Sequence, residues 1–239
     1  MADPELSIVI PVKNEEECIP VLAAEIESAL TRAGIDWECL WINDGSTDRT
    51  PDVLDTLARR EPRHRRIDHT QSFGQSAGLA TGFRRARGPV IGTLDGDGQN
   101  DPADLPAMYR RLVGEKQDMV TGWRQKRNDT VVRKISSRIA NTYRNWLTGE
   151  QIRDVGCAIR VFRRDAALKV PVFKGMHRYF PTLFRIAGHS AIVEVPVHHR
   201  PREKGVTKYG IHNRLWVGLV DTLMVVWMRR RLVFPRTRD

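Results

Sequence analysis

Through residue 122 the chain repeats one pattern: a short apolar run, a polar loop, then apolar residues at helical spacing. Leu6 to Pro11 is β-branched and apolar. Ile19, Leu22, Ile26, Leu30 and Ala33 follow at helical intervals, and Gly34 supplies the stop. Glu38 to Asn43 reads as a second strand. Thr50-Pro51 reads as an N-cap with proline opening a helix to about Arg60. Arg66 to Thr70, Gly74 to Ala86, Val90 to Asp95, Pro102 to Val113 and Met119 to Gly122 continue the alternation of strand and helix. Such alternation predicts an α/β fold with a mostly parallel central sheet and helices on both faces.

The second half is less regular. Val131 to Leu147 is basic and reads as helical. Gly156 to Phe162 and Ile192 to His198 read as strands, with a helix at Tyr179 to Ile186 between them. From Ile211 the pattern is helical to Arg229-Arg230-Arg231. A length of 239 residues suits one α/β domain, over 1–210, and a C-terminal amphipathic helix with a basic tail over 211–239. Cys18, Cys39 and Cys157 are odd in number and far apart, which argues against a disulfide framework or zinc site. The acidic start, Met1-Ala-Asp-Pro-Glu, runs directly into the first strand and has no signal-peptide character. The expected location is therefore cytoplasmic. A formal net charge of +10 attracts polyanions, so the positions of the basic residues must decide which.

In open α/β sheets, ligands bind beyond the carboxyl ends of the strands. Polar residues gather there: Lys13, Asn14 and Glu15 after the first strand, Asn43 to Asp48 after the second, and Asp95 to Asp101 after the fourth. Asp48 is also well placed to cap the following helix. Asp95 and Asp97 occupy alternate positions of an extended segment and project to one side. Paired carboxylates need a counter-charge. A hard cation, Mg²⁺ or Mn²⁺, supplies it through oxygen ligands, and Gln99 adds a neutral oxygen to the series.

Eight segments stand in a fixed order along the chain. They are IPVKNEEE at Ile10 to Glu17, NDGSTD at Asn43 to Asp48, FGQSAGLATGF at Phe73 to Phe83 and LDGDGQNDP at Leu94 to Pro102. GWR at Gly122 to Arg124, RDVGCAIRVFRR at Arg153 to Arg164, GMHRYFP at Gly175 to Pro181 and HHRPREKGVTKYG at His198 to Gly210 complete the set. Together they resemble the GT-A glycosyltransferases of family 2, nearest to dolichyl-phosphate mannose synthases and bacterial polyprenyl-phosphate glycosyltransferases. The resemblance implies that Pro11, Asn14 and Glu15 line the base and ribose side of a nucleotide. By the same resemblance Asp44 holds the base, Asp95 the ribose side, and Asp97 with Gln99 the metal. Arg202, Thr207 and Lys208 match a stretch that closes over the donor diphosphate, for which their side chains are natural partners. Gly96 and Gly98 stand where many relatives have a small and an apolar residue, Thr207 stands where Ser is common, and Gln71-Ser72 replaces a frequent Arg-Asn.

The implied reaction is an inverting transfer from a nucleotide-diphosphate sugar to a polyprenyl or dolichyl phosphate. Mannose from GDP-mannose is the leading donor and a UDP-sugar the alternative. A phosphate monoester, with a second pKa near 6, needs positioning more than deprotonation. Arg124 and Arg138 are the candidate grips for it, with Arg133 as the alternative; Asp154 is assigned a base or orienting role. His177 and Arg178 shape the acceptor side, while His198 and His199 are structural. The apolar stretch Leu215 to Met228 spans about 21 Å as a helix, short of a bilayer core of about 30 Å. It is therefore expected to lie in the membrane interface on the cytoplasmic face, with the arginines of the tail toward anionic lipid and a protein partner available for firmer anchoring. A soluble family 2 enzyme acting on a saccharide or protein is the competing reading. Nucleic acid is not an expected partner, because acidic loops line the ligand edge.

Overall fold

The structure, a computed structural model, describes residues 3–125, 142–201 and 213–234. Among the described residues seven strands form one sheet: β1 (Leu6–Val12), β2 (Trp37–Asn43), β3 (His64–Asp68), β4 (Val90–Thr93), β5 (Met119–Arg124), β6 (Arg160–Arg163) and β7 (Ile192–Val197). The helices are α1 (Ile19–Ala33), α2 (Thr50–Arg60), α3 (Gln75–Arg85), α4 (Leu105–Gly114), α5 (Arg164–Leu168), α6 (Phe180–Ile186) and α7 (Asn213–Arg231). Short 3₁₀ turns occupy Pro102–Asp104 and Met176–Arg178, and 142–148 is helical.

The strand order is β3-β2-β1-β4-β6-β5-β7. β6 runs antiparallel to β4 and β5, and every other pairing is parallel. The chain winds outward from β1 to β3 and then crosses to β4 on β1's other side. That reversal opens a crevice beyond the carboxyl ends of β1 and β4, where α/β sheets bind ligands.

Both faces of the sheet are covered, which is why its central strands are apolar throughout. Ile8 and Ile10 of β1 join α1, α2 and α4 in one core, while Val9 joins α3 and α6 in the other. Phe83, Phe162 and Phe184 meet edge to face in the second core, with ring centroids 5.4 and 5.2 Å apart. Buried Glu38 of β2 is held by Ser7 Oγ (2.8 Å), Arg87 N (2.7 Å), Arg65 (2.6 Å) and Arg87 Nε (2.9 Å).

Several boundaries depart from the sequence expectation, among them β3, which runs over His64–Asp68 instead of Arg66 to Thr70. β4 stops at Thr93 instead of Asp95, because the Asp95 N–H leaves the ladder and donates to Asn100 Oδ1 at 3.3 Å. β6 begins at Arg160 instead of Gly156, because Cys157 N–H closes a turn onto Asp154 O at 3.2 Å. Thr50 is not the N-cap. It is the first helical residue, its hydroxyl accepts from Glu15 N–H (2.9 Å), and its own N–H donates to Asp48 Oδ1 (3.0 Å).

α3 lies close on β1 because Gly82 faces Val9. A Cβ at Gly82 would stand 2.1 Å from Val9 Cγ1. Alanine there gains about 1 kcal/mol in helix propensity but overpacks a filled core at a cost of about 1–3 kcal/mol. An approach of 2.1 Å to a branched side chain places that cost in the upper part of the range, so the net loss is about 1–2 kcal/mol and Gly82→Ala is expected to lower the thermal midpoint by about 2–8 °C for a chain of this size. An unchanged or raised midpoint in a calorimetric scan contradicts the packing described.

Candidate active site

The loops at the carboxyl edge are tied to one another by side chains. Asn14, held at φ 52°, receives Thr47 N–H on Oδ1 (2.8 Å) and donates to Thr47 Oγ1 (3.2 Å). Its N–H donates to Ser46 Oγ (3.0 Å). These bonds join the loop after β1 to the loop after β2. Pro11 lies in β1, and Gly78 of α3 approaches so closely that a Cβ there would be 2.9 Å from the proline ring. Asp44 is buried and accepts four donors: His69 Nδ1–H and Phe73 N–H on Oδ1 (both 2.8 Å), Ser72 O–H (2.7 Å) and Gly74 N–H (2.8 Å) on Oδ2. Gly45, at φ 66°, lets this loop close in, since a Cβ would meet Ser72 N at 2.8 Å. Burial raises the Asp44 pKa, but the bonds from His69, Phe73, Ser72 and Gly74 outweigh it and hold the group below the ordinary carboxylate value.

The acidic loop after β4 adjoins this network. Asp95 Oδ1 accepts Gln75 Nε2–H at 2.7 Å, which fixes it against the start of α3. Asp97 Oδ1 accepts Gln99 N–H at 3.1 Å, and Gln99 Nε2 makes a long contact of 3.4 Å to Arg200 O. Asp95, Asp97 and Gln99 are all partly exposed. Their oxygen-only chemistry suits Mg²⁺ or Mn²⁺. Among the described residues no three His, Cys, Asp or Glu side chains converge into a metal cage. A two-carboxylate loop is instead the kind of partial site that Mg²⁺ completes with water and phosphate oxygens. The segment after β7 is fastened onto this loop. Asn100 bridges His199, Arg200 N–H donates to Gln99 O (2.9 Å), and the Arg200 guanidinium binds Glu25 (2.6 Å) and Asp101 (2.8 Å).

Across the crevice Arg124, the last residue of β5, forms a two-pronged pair with Asp154: Nε to Oδ2 at 2.7 Å and Nη2 to Oδ1 at 2.8 Å. Glu194 of β7 holds the Asp154 loop by accepting Arg153 N–H (2.9 Å) and Asp154 N–H (3.3 Å). His177 Nδ1 lies 3.0 Å from Ser76 Oγ, which also accepts Gly175 N–H at 3.0 Å. Burial, with the charges of Arg178 and Arg160, pushes the His177 imidazole down to about 3, so it is neutral at physiological pH. His198 is exposed, and its ring donates to Asp104 (2.9 Å), which raises its pKa.

The structure thus gathers Pro11, Asn14, Glu15, Asp44, Asp95, Asp97 and Gln99 along one edge, and pairs Arg124 with Asp154. Arg138, Arg133, Arg202, Thr207 and Lys208 lie outside the described residues. Sequence reasoning missed His69, Gln75, Ser76, Glu194 and Arg160, all of which touch the residues above or their loops. A lone arginine inside the apolar run Ala158 to Phe162 was the available signal for Arg160.

α7 is two-faced. Val225 and Thr222 are buried, and Tyr179 Oη donates to Gly218 O (3.1 Å) and contacts Thr222 Oγ1 (2.9 Å). On the opposite face Val220, Leu223 and Trp227 are exposed, Trp227 by 59%. Trp146 on 142–148 is 77% exposed, and Arg229 joins that helix through Thr148 O (3.1 Å). Among the described residues no helix is long and apolar enough to cross a membrane.

This architecture is the GT-A fold of nucleotide-sugar transferases. Glucosyl-3-phosphoglycerate synthase from Mycobacterium tuberculosis, in complex with Mg²⁺ and UDP, superposes with a TM-score of 0.69 over 92% of this chain and 79% of its own, at 18% identity. A Pyrobaculum calidifontis mannosyltransferase in complex with GDP-Man and Mn²⁺ gives a TM-score of 0.65 over 98% of this chain and 67% of its own, at 17% identity. Residues 7–170 match the model of glycosyl transferase family 2, and the chain belongs to that family. It is similar to the dodecaprenyl-phosphate galacturonate synthase of Rhizobium johnstonii, 37% identical over 97% of this chain and 69% of the relative. The undecaprenyl-phosphate 4-deoxy-4-formamido-L-arabinose transferase of an Enterobacter species is 34% identical over 96% of this chain and 71% of its own length. The chain is thus a glycosyltransferase with polyprenyl-phosphate glycosyltransferases among its relatives.

A carboxylate whose folded pKa is depressed stabilises the fold above its unfolded pKa, about 3.9 for Asp. That contribution is lost as pH falls through the folded value. Asp44 is such a group. Asp44→Asn is expected to lower the thermal midpoint at pH 7, because its amide N–H₂ then faces other donors. Between pH 5 and pH 3 the variant's midpoint should fall less than the wild type's. Parallel curves count against Asp44 as the organising charge.

Proposed function

We propose that this protein is an inverting glycosyltransferase that moves a sugar from a nucleotide-diphosphate donor onto a polyprenyl phosphate at a membrane surface. The observation that carries the reading is the placement of the acidic loop, Asp95 to Gln99. It is fastened on one side to the nucleotide-side loops through Gln75 and on the other to the segment that leads in sequence into Arg202. The names of the relatives support a polyprenyl phosphate as acceptor.

In this reading the acceptor phosphate oxygen attacks the anomeric carbon. A new C–O bond forms there as the bond to the nucleoside diphosphate breaks on the opposite face. A phosphate monoester is largely ionised at neutral pH, so the enzyme need not deprotonate it. Asp154 is bidentate with Arg124. A carboxylate so engaged is a poor base, and its role is to orient Arg124 toward the acceptor. Asp44 organises the base side through the loop at His69 to Gly74, while Pro11, Asn14 and Glu15 line the nucleotide. Asp97 and Gln99 are the ligands for Mg²⁺ or Mn²⁺, which when bound neutralises charge on the diphosphate. Arg202, Thr207 and Lys208 add phosphate contacts from the following segment, and Arg138 adds a second grip on the acceptor. The exposed face of α7, with Trp146 and the basic residues Arg229 to Arg231, meets anionic lipid on the cytoplasmic side.

The test is a panel of nucleotide sugars, GDP-mannose and UDP-sugars including a uronic acid, offered with polyprenyl phosphate and Mg²⁺ or Mn²⁺. Transfer with inversion is expected for one donor. Chelation should stop it, and Asp97→Ala should remove turnover in a protein with an unchanged melting curve. Normal turnover by that variant rules out the metal assignment. Transfer to a free saccharide or protein but not to the lipid phosphate identifies a different acceptor class.

Flotation with anionic vesicles tests the surface. Serine at Val220, Leu223 and Trp227 together should abolish recovery, and added salt should weaken wild-type recovery. Undiminished flotation of the triple variant removes α7 from the contact.

A further inference from the structure

Arg160 opens β6 between Thr93 of β4 and Thr121 of β5, and it is buried. Among the described residues it forms no ion pair, and its Nε takes no hydrogen bond. A buried guanidinium without a carboxylate partner is costly, so its presence calls for an explanation. Its bonds supply one. Nη2 donates to Val155 O at 2.7 Å and Nη1 to His177 O at 3.0 Å, and the guanidinium lies 5.2 Å from the Phe180 ring. The two carbonyls belong to different loops. Val155 follows Asp154, the partner of Arg124. His177 sits in the turn that meets Ser76, and Ser76 follows Gln75, the residue bonded to Asp95. A planar fork with fixed donor directions constrains both loops at once, which a lysine ammonium cannot do. Burial disfavours its charged form, while Asp95 and Asp154 favour it.

We propose that Arg160 is a positioning residue whose two terminal nitrogens clamp the Asp154 loop to the His177 turn, and so hold the acceptor-side Arg124–Asp154 pair in register with the donor-side Asp95 loop. This rests on the sugar-transfer reading above for its kinetic consequence, but not for the clamp itself.

Two measurements separate these. In the wild-type chain under mild denaturant, amide exchange in residues 153–157 and 175–179 is expected to open as one cooperative unit. Independent opening of the two loops overturns the clamp without any variant. Arg160→Lys keeps a nitrogen donor and loses the fork. It is expected to reduce protection in both loops together and to lower kcat by about 100-fold, as a misplacement near 1 Å can do, with donor KM little changed. Wild-type kcat in that variant, or loosening of one loop alone, also overturns the proposal. If the wild type transfers no sugar to polyprenyl phosphate, the functional reading fails, and the exchange data still decide the clamp.

Discussion

The crevice depends first on one buried carboxylate. Asp44 ends the β2 ladder and accepts donors from His69, Ser72, Phe73 and Gly74. A carboxylate offers about four lone-pair sites, and here the chain itself fills them. The loop between β3 and α3 is therefore drawn over the end of β2, and α3 starts where Gln75 can reach Asp95. Without that anchor three backbone or hydroxyl donors and a histidine would need other partners, and the loop carrying Gln75 would lose its fixed entry to the helix.

Much of the fold was legible because a two-faced parallel sheet leaves a plain pattern: apolar strands, helices at 3.6-residue spacing, polar residues at one edge. Local chemistry set the errors. β4 ends early because Asn100 reaches back to Asp95 N–H, and Thr50 gives up capping because its hydroxyl serves Glu15. Both contacts are made by side chains that a periodicity argument treats as loop. The acids of the site were legible for the same reason as the sheet, since they follow strands. Their supports were not. Gln75 to Asp95 spans 20 residues, Ser76 to His177 spans 101 and Arg153 to Glu194 spans 41. Nothing in local spacing announces such pairs.

Charge arrangement distinguishes the two sides of the crevice. Of the basic residues that the sequence offers for phosphate, Arg124 lies among the described residues, and it and the neighbouring arginines Arg160 and Arg200 are committed. Arg124 is paired with Asp154, Arg200 with Glu25 and Asp101, and Arg160 with backbone carbonyls. Committed guanidinium groups are pre-oriented, which favours directional hydrogen bonds over long-range attraction. Neutral His177 fits this scheme, because an imidazolium beside Arg160 and Arg178 would add repulsion.

The same turn also connects the crevice to the outer surface. Tyr179 follows the 3₁₀ turn that carries His177, and its hydroxyl reaches Gly218 and Thr222 of α7. Arg229 fastens the other end of α7 to Thr148. A helix held by polar bonds at Gly218 and Thr222 and again at Arg229, with Val225 buried between them, cannot rotate its exposed Val220, Leu223 and Trp227 face without breaking those bonds. In the proposed reading, the angle at which the crevice meets a lipid surface is thus set by the same segment that borders the acceptor side. An acceptor whose phosphate sits at the headgroup level requires that arrangement, since the reacting oxygen cannot travel far from the interface.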